Sequence, residues 1–338
     1  MEKARLWKSL KDQKVQCELC NHFCIIKVDQ KGKCGVRVNK DGVLYSLVYD
    51  KISAINIDPI EKKPLYHFYP GSSSFSIGTM GCNFSCSFCQ NHTLSQPPKY
   101  QDQILGESYS PEKLVELAKA YNCKSISYTY SEPTIFFELV VDTSRKAKEE
   151  GISNVLVSNG FMSDKCLEEL REIIDAINVD LKSFSESFYK DLCDGRLKPV
   201  LKNLEKMKKM GWWVEVTTLI IPAHNDDEKE LKEIAQFIFK NLGAETPWHI
   251  SRFHPAYHLL TPPVTPYETL KRAFEIGKET GLKYVYIGNV PGIDEQNTYC
   301  PKCGELLIER EFFSTRIRGL KDGKCFKCNT QIEGIGLP

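Results

Sequence analysis

Between about residue 71 and residue 296, short apolar runs alternate with longer stretches whose apolar positions recur every three or four residues. The short runs predict strands at 75–79, 125–130, 154–158, 176–181, 214–220, 248–253 and 284–288. The longer ones predict amphipathic helices at 111–121, 135–150, 164–174, 197–210, 227–241 and 266–280. Ser110-Pro111-Glu112 and Thr265-Pro266-Tyr267 set a capping side chain and an early proline at two helix starts. Repeated strand–helix units of this length build a parallel sheet, either a barrel or a doubly wound fold. Periodicity alone does not choose between them.

The pattern is different on both flanks. Residues 1–70 show only short alternating segments, around 43–49 and 52–57, and then a stretch at 58–65 bounded by Pro59 and Pro64. Two prolines so placed predict a loop, packed near the mouth of a barrel. This first segment holds Cys17, Cys20, Cys24 and Cys34, and Lys31-Gly32-Lys33-Cys34-Gly35 forms a turn that returns the last cysteine toward the others. Four sulfurs over so short a span suit a structural zinc or an auxiliary iron–sulfur cluster, with His22 able to replace one sulfur. Residues 297–338 carry Cys300-x2-Cys303 and Cys325-x2-Cys328, two knuckles 21 residues apart. That spacing predicts a zinc ribbon, in which four thiolates close a tetrahedron and leave no open position. Three units follow: 1–70, 71–296 and 297–338.

Composition narrows the possibilities. The 338 residues are 41% hydrophobic and 26% charged, with formal net charge +1. That is an ordinary globular composition, with no global attraction to nucleic acid or anionic membrane. From Cys300 onward seven Lys/Arg face five Asp/Glu, too weak a bias for a nucleic-acid footprint. The chain has no apolar run long enough to span a bilayer and no signal-peptide core at its start. Fourteen cysteines without a secretion signal point to metal sites in a reducing cytoplasm. Eleven fall into three groups, and Cys123, Cys166 and Cys193 stand alone as expected buried apolar residues.

The third group is Cys82-x3-Cys86-x2-Cys89, directly after the first predicted strand and a glycine turn at Gly78-Thr79-Met80-Gly81. Three thiolates on one compact loop can hold three irons of a [4Fe–4S] cluster. No fourth cysteine follows nearby, so one iron stays open for a ligand. This loop, with Phe88 before its last cysteine, resembles the cluster loop of radical S-adenosylmethionine (SAM) enzymes. The resemblance implies a partial (β/α)6 barrel with reactive groups at the carboxyl ends of its strands. It also implies that the open iron chelates SAM, and that an electron from the cluster splits the sulfonium into methionine and a 5′-deoxyadenosyl radical.

The strand ends carry the resemblance further. Tyr130-Ser131-Glu132-Pro133 matches the glutamate and proline of the family's usual Gly-Gly-Glu-Pro but lacks its glycines. Glu132 is thereby implied to take the methionine ammonium, although it could equally cap the next helix. Ser158-Asn159-Gly160 resembles the Thr-Asn-Gly of pyruvate formate-lyase activating enzymes and implies ribose contacts from Ser158 or Asn159. Asp180 and Lys182, two apart and on one strand face, resemble the activating enzymes' Asp-x-Lys. Lys182 is implied to meet the SAM carboxylate and Asp180 the ammonium. Arg252 or His254 is expected to engage SAM or substrate, and Asn289, after the last strand, to lie near the adenine.

Over nearly its full length the chain resembles the radical SAM enzymes of the AmmeMemoRadiSam system, relatives of the pyruvate formate-lyase activating enzymes. The resemblance implies a flavodoxin- or ferredoxin-type reductant and, as functional partners, Memo-like and AMMECR-type proteins. A glycyl-radical activase is an alternative activity. Two further classes remain: an iron–sulfur electron carrier, which would close its cluster with a fourth cysteine, and a zinc-dependent nucleic-acid binder, which would show a basic face. No side chain in the sequence names the hydrogen donor.

Overall fold

A computed structural model describes residues 1–311 and 313–338. Its centre is one eight-stranded sheet. Seven strands run parallel in sequence order: β2 (Ser73–Gly78), β3 (Ser125–Tyr128), β4 (Ser153–Ser158), β5 (Ala176–Asp180), β6 (Trp213–Ile220), β7 (Trp248–Arg252) and β8 (Val285–Gly288). Outside β2 lies β1 (Ala54–Pro59), antiparallel, with Ala54 opposite Gly78 and Pro59 opposite Ser73. The sheet curls into a partial barrel whose edges are β1 and β8.

Helices cover the outside: α1 (Pro111–Ala120), α2 (Phe137–Glu149), α3 (Asp164–Leu170), α4 (Glu186–Cys193), α5 (Leu197–Lys209), α6 (Glu228–Phe237) and α7 (Tyr267–Thr280). Each buries one stripe. On α5 the buried apolar residues are Leu197, Val200, Leu204 and Met207, the spacing expected of one helical face. Ser110 caps α1 by accepting from the Lys113 amide, as its sequence suggests. The short α4 escapes the pattern reading because only Phe188, Tyr189 and Cys193 are buried in it.

The interior of the barrel is layered. Strand alternation turns Glu215, Thr217 and Leu219 of β6, and His249 and Ser251 of β7, inward. Glu215 and His249 form a lower polar layer, 2.6 Å apart. Thr217, Leu219 and Ser251 line the cavity at the mouth.

The 58–65 stretch lies at the opposite end from that expected. Ile60, Leu65 and Phe68 pack with Val155 and Ala176, near the amino ends of β4 and β5, and the Pro64 carbonyl accepts from Asn178. The stretch therefore closes the floor of the barrel, because β1 runs antiparallel and delivers it there. Around this floor docks the C-terminal ribbon. Its Leu307, Ile308, Leu320 and Ile332 pack with Tyr66, Tyr284 and Tyr286. The buried Arg310 reaches in to donate to the Tyr66 carbonyl at 2.8 Å and to Thr298 at 2.7 Å. At the other end, the N-terminal segment folds as two small antiparallel sheets. A buried ion pair, Arg37 to Glu138 at 2.7 Å, ties it to α2.

Candidate active site and metal centres

The cysteine loop leaves β2 at Gly78 and passes through Gly81, whose φ of +106° is left-handed. A Cβ there would sit 2.7 Å from Val36 Cγ1 and 3.1 Å from the Cys34 carbonyl, so glycine alone lets the loop lie against the N-terminal segment. The loop is braced on several sides. Ser85 and Ser87 amides donate to the carbonyls of Cys193 and Leu192 at the end of α4, both at 2.9 Å. The Ser87 carbonyl accepts the amides of His258 and Leu259 from the loop after β7. Cys82, Cys86 and Cys89 thereby face one open cavity of about 260 Å³.

Phe88, Glu132, Ser158, Asn159, Asp180 and Lys182 line the same cavity. Glu132 is fully buried and acts as a hub. Its Oε1 accepts from the Thr134 amide and hydroxyl and from Ser158 Oγ, and its Oε2 accepts from the Asn159 amide at 2.9 Å. The helix-capping contact is thus real, and it leaves Oε2 with spare acceptor capacity. Burial pushes its carboxyl up against the pull of those donors. Asn159 is tied back as well, its side-chain amide donating to Asn83 Oδ1 at 2.7 Å. Lys182 pairs with Asp180 at 2.8 Å. Burial works against the lysine charge, but Asp180 and the Cys86 and Cys193 sulfurs outweigh it and hold the ammonium protonated.

Three expected residues do not reach the cavity wall. Alternation on β7 gives the inward position to Ser251, so Arg252 points out and its Nε donates to the Thr265 carbonyl at 2.9 Å. His254 is exposed beyond the strand end. Asn289 is exposed too, donating to Ser251 Oγ at 2.8 Å, one hydrogen bond behind the wall. Two further residues join the wall, Thr217 from outside the motifs and Ser131 from the place of a family glycine. Ser131 and Thr217 present buried hydroxyls with no partner, which is what a ligand-binding wall leaves free. Cys193 is buried as expected, and it lies close enough to Cys86 to push that thiol up. Nothing in an isolated cysteine on a short helix signals this.

The sulfur spacings separate two kinds of site. In the ribbon Cys300 and Cys328 lie 3.6 Å apart, as do Cys303 and Cys325. A tetrahedral ion with bonds of ~2.3 Å holds its sulfurs ~3.8 Å apart, so these four fit one ion. Among the described residues this is the only group of three or more His, Cys, Asp or Glu whose ligand atoms all lie within 4.8 Å of one another. Cys82, Cys86 and Cys89 are spread more widely, as a multi-iron cluster requires. Burial pushes the Cys82 thiol up, and Cys193 together with burial does the same for Cys86, so thiolates here call for bound cations.

The Radical SAM superfamily model matches residues 76–238. The uncharacterized protein MJ0808 of Methanocaldococcus jannaschii is 48% identical over 335 residues, covering 98% of this chain and 99% of that protein. The chain belongs to the radical SAM superfamily. Another member, the pyruvate formate-lyase 1-activating enzyme of Escherichia coli K12, is 25% identical over 165 residues, 46% of this chain and 65% of that enzyme. The crystal structure of Streptococcus suis SuiB bound to S-adenosylmethionine shares the radical SAM fold, with a TM-score of 0.51 at 14% identity. That match covers 68% of this chain and 53% of SuiB. The chain is therefore a radical SAM enzyme, with its cysteine loop, Glu132 and Lys182 gathered at the carboxyl ends of the strands. No helix among the described residues is long and apolar enough to cross a membrane.

Proposed function

We propose that Cys82, Cys86 and Cys89 hold a [4Fe–4S] cluster with one open iron, and that the cavity beside it binds SAM. One observation carries this reading: three widely spaced thiols, a carboxylate with spare acceptor capacity and a charged lysine share a single cavity. Bound there, the cluster supplies the electron that splits SAM into methionine and a 5′-deoxyadenosyl radical, which takes a hydrogen atom from the substrate. The chain's own work is to position. Glu132 Oε2 accepts from the methionine ammonium, with Asp180 close by, and Lys182 holds the carboxylate. Ser131 and Thr217 offer free hydroxyls to the rest of the molecule. Ser131 stands where relatives usually have glycine, so a side-chain contact here replaces one from the backbone. The apolar ring of Phe88 helps keep the sulfonium end dry.

After anaerobic reconstitution, the protein should form 5′-deoxyadenosine on addition of SAM and dithionite, and Cys86→Ala should abolish this while leaving the chain folded. Wild-type rates in Cys86→Ala would refute the assignment. The similarity to the E. coli activating enzyme favours a second reading, in which the hydrogen donor is a glycine of a partner protein. Electron paramagnetic resonance after turnover with a glycyl-radical enzyme distinguishes the two, since only an activase leaves a lasting protein radical. The ribbon we assign to zinc, on the closeness of its four sulfurs. A flavodoxin- or ferredoxin-type carrier is the proposed reductant, and fourteen free thiols suit a reducing cytoplasm.

A further inference from the structure

A second set of sulfurs surrounds a void of its own. Cys17, Cys20, Cys24 and Cys34 line one small, largely enclosed cavity, which Arg37 and Asn83 complete. No three of these sulfurs lie within 4.8 Å of one another, in contrast to the ribbon. A single ion at ~2.3 Å from each sulfur does not span such a set. Sulfurs spaced beyond the reach of one ion match the ligands of a cluster, each bound to a different iron, and Cys82, Cys86 and Cys89 have the same wide spacing.

The wall supplies a second, independent sign. Arg37 Nε and Asn83 Nδ2 are buried donors with no partner, on side chains only 1% exposed. Arg37 Nη2 donates to both Glu138 oxygens and Nη1 to the Arg5 carbonyl at 3.4 Å, and Asn83 Oδ1 accepts from Asn159. The remaining N–H groups need an acceptor, and the sulfurs of an anionic cluster are acceptors. His22 is not free to serve as a ligand through Nε2, which bonds the Asn83 carbonyl at 2.8 Å.

We propose that Cys17, Cys20, Cys24 and Cys34 ligate a second [4Fe–4S] cluster, closed on all four irons, that feeds electrons to the site at Cys82, Cys86 and Cys89. Position supports the relay. Asn83 lines the N-terminal cavity, and its neighbour Cys82 lines the mouth cavity. At Gly81 the cysteine loop touches the Cys34 backbone so closely that no side chain fits between them. A one-electron carrier of the flavodoxin or ferredoxin class reduces the N-terminal cluster. That cluster then reduces the one at the mouth and returns to its oxidised state. No bond forms or breaks and no proton moves. The relay rests on the proposed function, but the second site does not.

The test uses the full chain, reconstituted anaerobically. Wild type should carry about eight irons, and the triple variant Cys82→Ala, Cys86→Ala, Cys89→Ala about four, from the one cluster left. After dithionite reduction the triple variant should still show a paramagnetic cluster signal that SAM does not alter. An iron-free triple variant, with or without extra zinc, overturns the second site. If the triple variant holds its iron but the wild type does not cleave SAM, the proposed function fails and this site stands. For the relay, Cys20→Ser with Cys34→Ser should slow 5′-deoxyadenosine formation driven by a reduced flavodoxin about tenfold or more, as expected when a relay is lost. Dithionite-driven turnover of the same variant shows that it is folded. Equal flavodoxin-driven rates in wild type and this variant overturn the relay.

Discussion

Glu132 and Lys182 show how one side chain can serve fold and chemistry in different proportions. Glu132 accepts four bonds that tie the ends of β3 and β4 together, so Glu132→Gln should lower the melting temperature as well as SAM affinity. Among the described residues the Lys182 ammonium has its ion pair with Asp180, itself 39% exposed, and lies 6.0 Å from the Phe88 ring centre, so Lys182→Met should weaken SAM and hardly change melting. A charge-assisted hydrogen bond contributes roughly 1.5–3 kcal/mol, which corresponds to a ten- to hundredfold loss of SAM affinity for either variant. Calorimetric titration of the reconstituted protein and thermal unfolding separate the two effects. Unchanged affinity in Lys182→Met would remove SAM from this end of the cavity. Much of this constellation is legible from sequence, because cysteine spacing and strand-end residues are local signals. The wall hydroxyl of Thr217 is not, since it lies mid-strand in an unremarkable Thr-Thr pair. Arg252 illustrates the limit of alternation: it separates Arg252 from Ser251 but does not say which of them faces inward.

Among the elements, β6 and the 58–68 segment depend on each other most directly. Glu215 is fully buried and accepts from the Tyr66 and His67 amides, from Trp213 and from His249. Burial opposes its charge, yet His249 and the other donors hold its carboxyl below the ordinary value of 4.5. A carboxyl lowered in the folded state stabilises above that ordinary value, and the contribution is lost as pH falls through the folded one. The protein should therefore lose stability from about pH 4.5 downward, and Glu215→Gln should flatten that acid limb. At neutral pH the same change should cost about 3–5 kcal/mol, because it breaks a buried charged network. Denaturant unfolding across pH checks both; an acid limb unchanged in the variant would show that Glu215 is not the group responsible. Strand and helix positions follow from periodicity. The floor placement of 58–65 does not, because its partners Val155, Ala176 and Asn178 lie 90 or more positions away in the chain.

At the scale of the molecule, the ribbon docks on the barrel floor around one buried cation, with backbone bonds between His67–Tyr69 and Ile335 beside it. Arg310 stacks over Tyr66, 4.1 Å from the ring centre, and lies 3.9 Å from Glu61, whose side chain is fully buried. Arg310→Met leaves that carboxylate without its cation and should cost about 3–5 kcal/mol. Cys325→Ser should release the ribbon metal and lower the melting temperature, with the SAM half-reaction retained once the chain is folded. Loss of SAM cleavage in a folded, iron-replete Cys325→Ser would place the ribbon in the chemistry. The ribbon is legible from its two knuckles. Its docking is not, since Arg310 lies on a strand between them with no motif to mark it.

Tyr66 carries a consequence for the order of events during synthesis. Its amide finds its acceptor 149 residues later, and its carbonyl finds its donor 244 residues later. At about 5–20 residues per second, the second partner leaves the ribosome some ten seconds or more after Tyr66 is made. Throughout that interval the Tyr66 carbonyl lacks its donor and must stay wetted. A nascent chain halted between residues 215 and 310 thus has the 58–65 floor in place but not the ribbon that covers it.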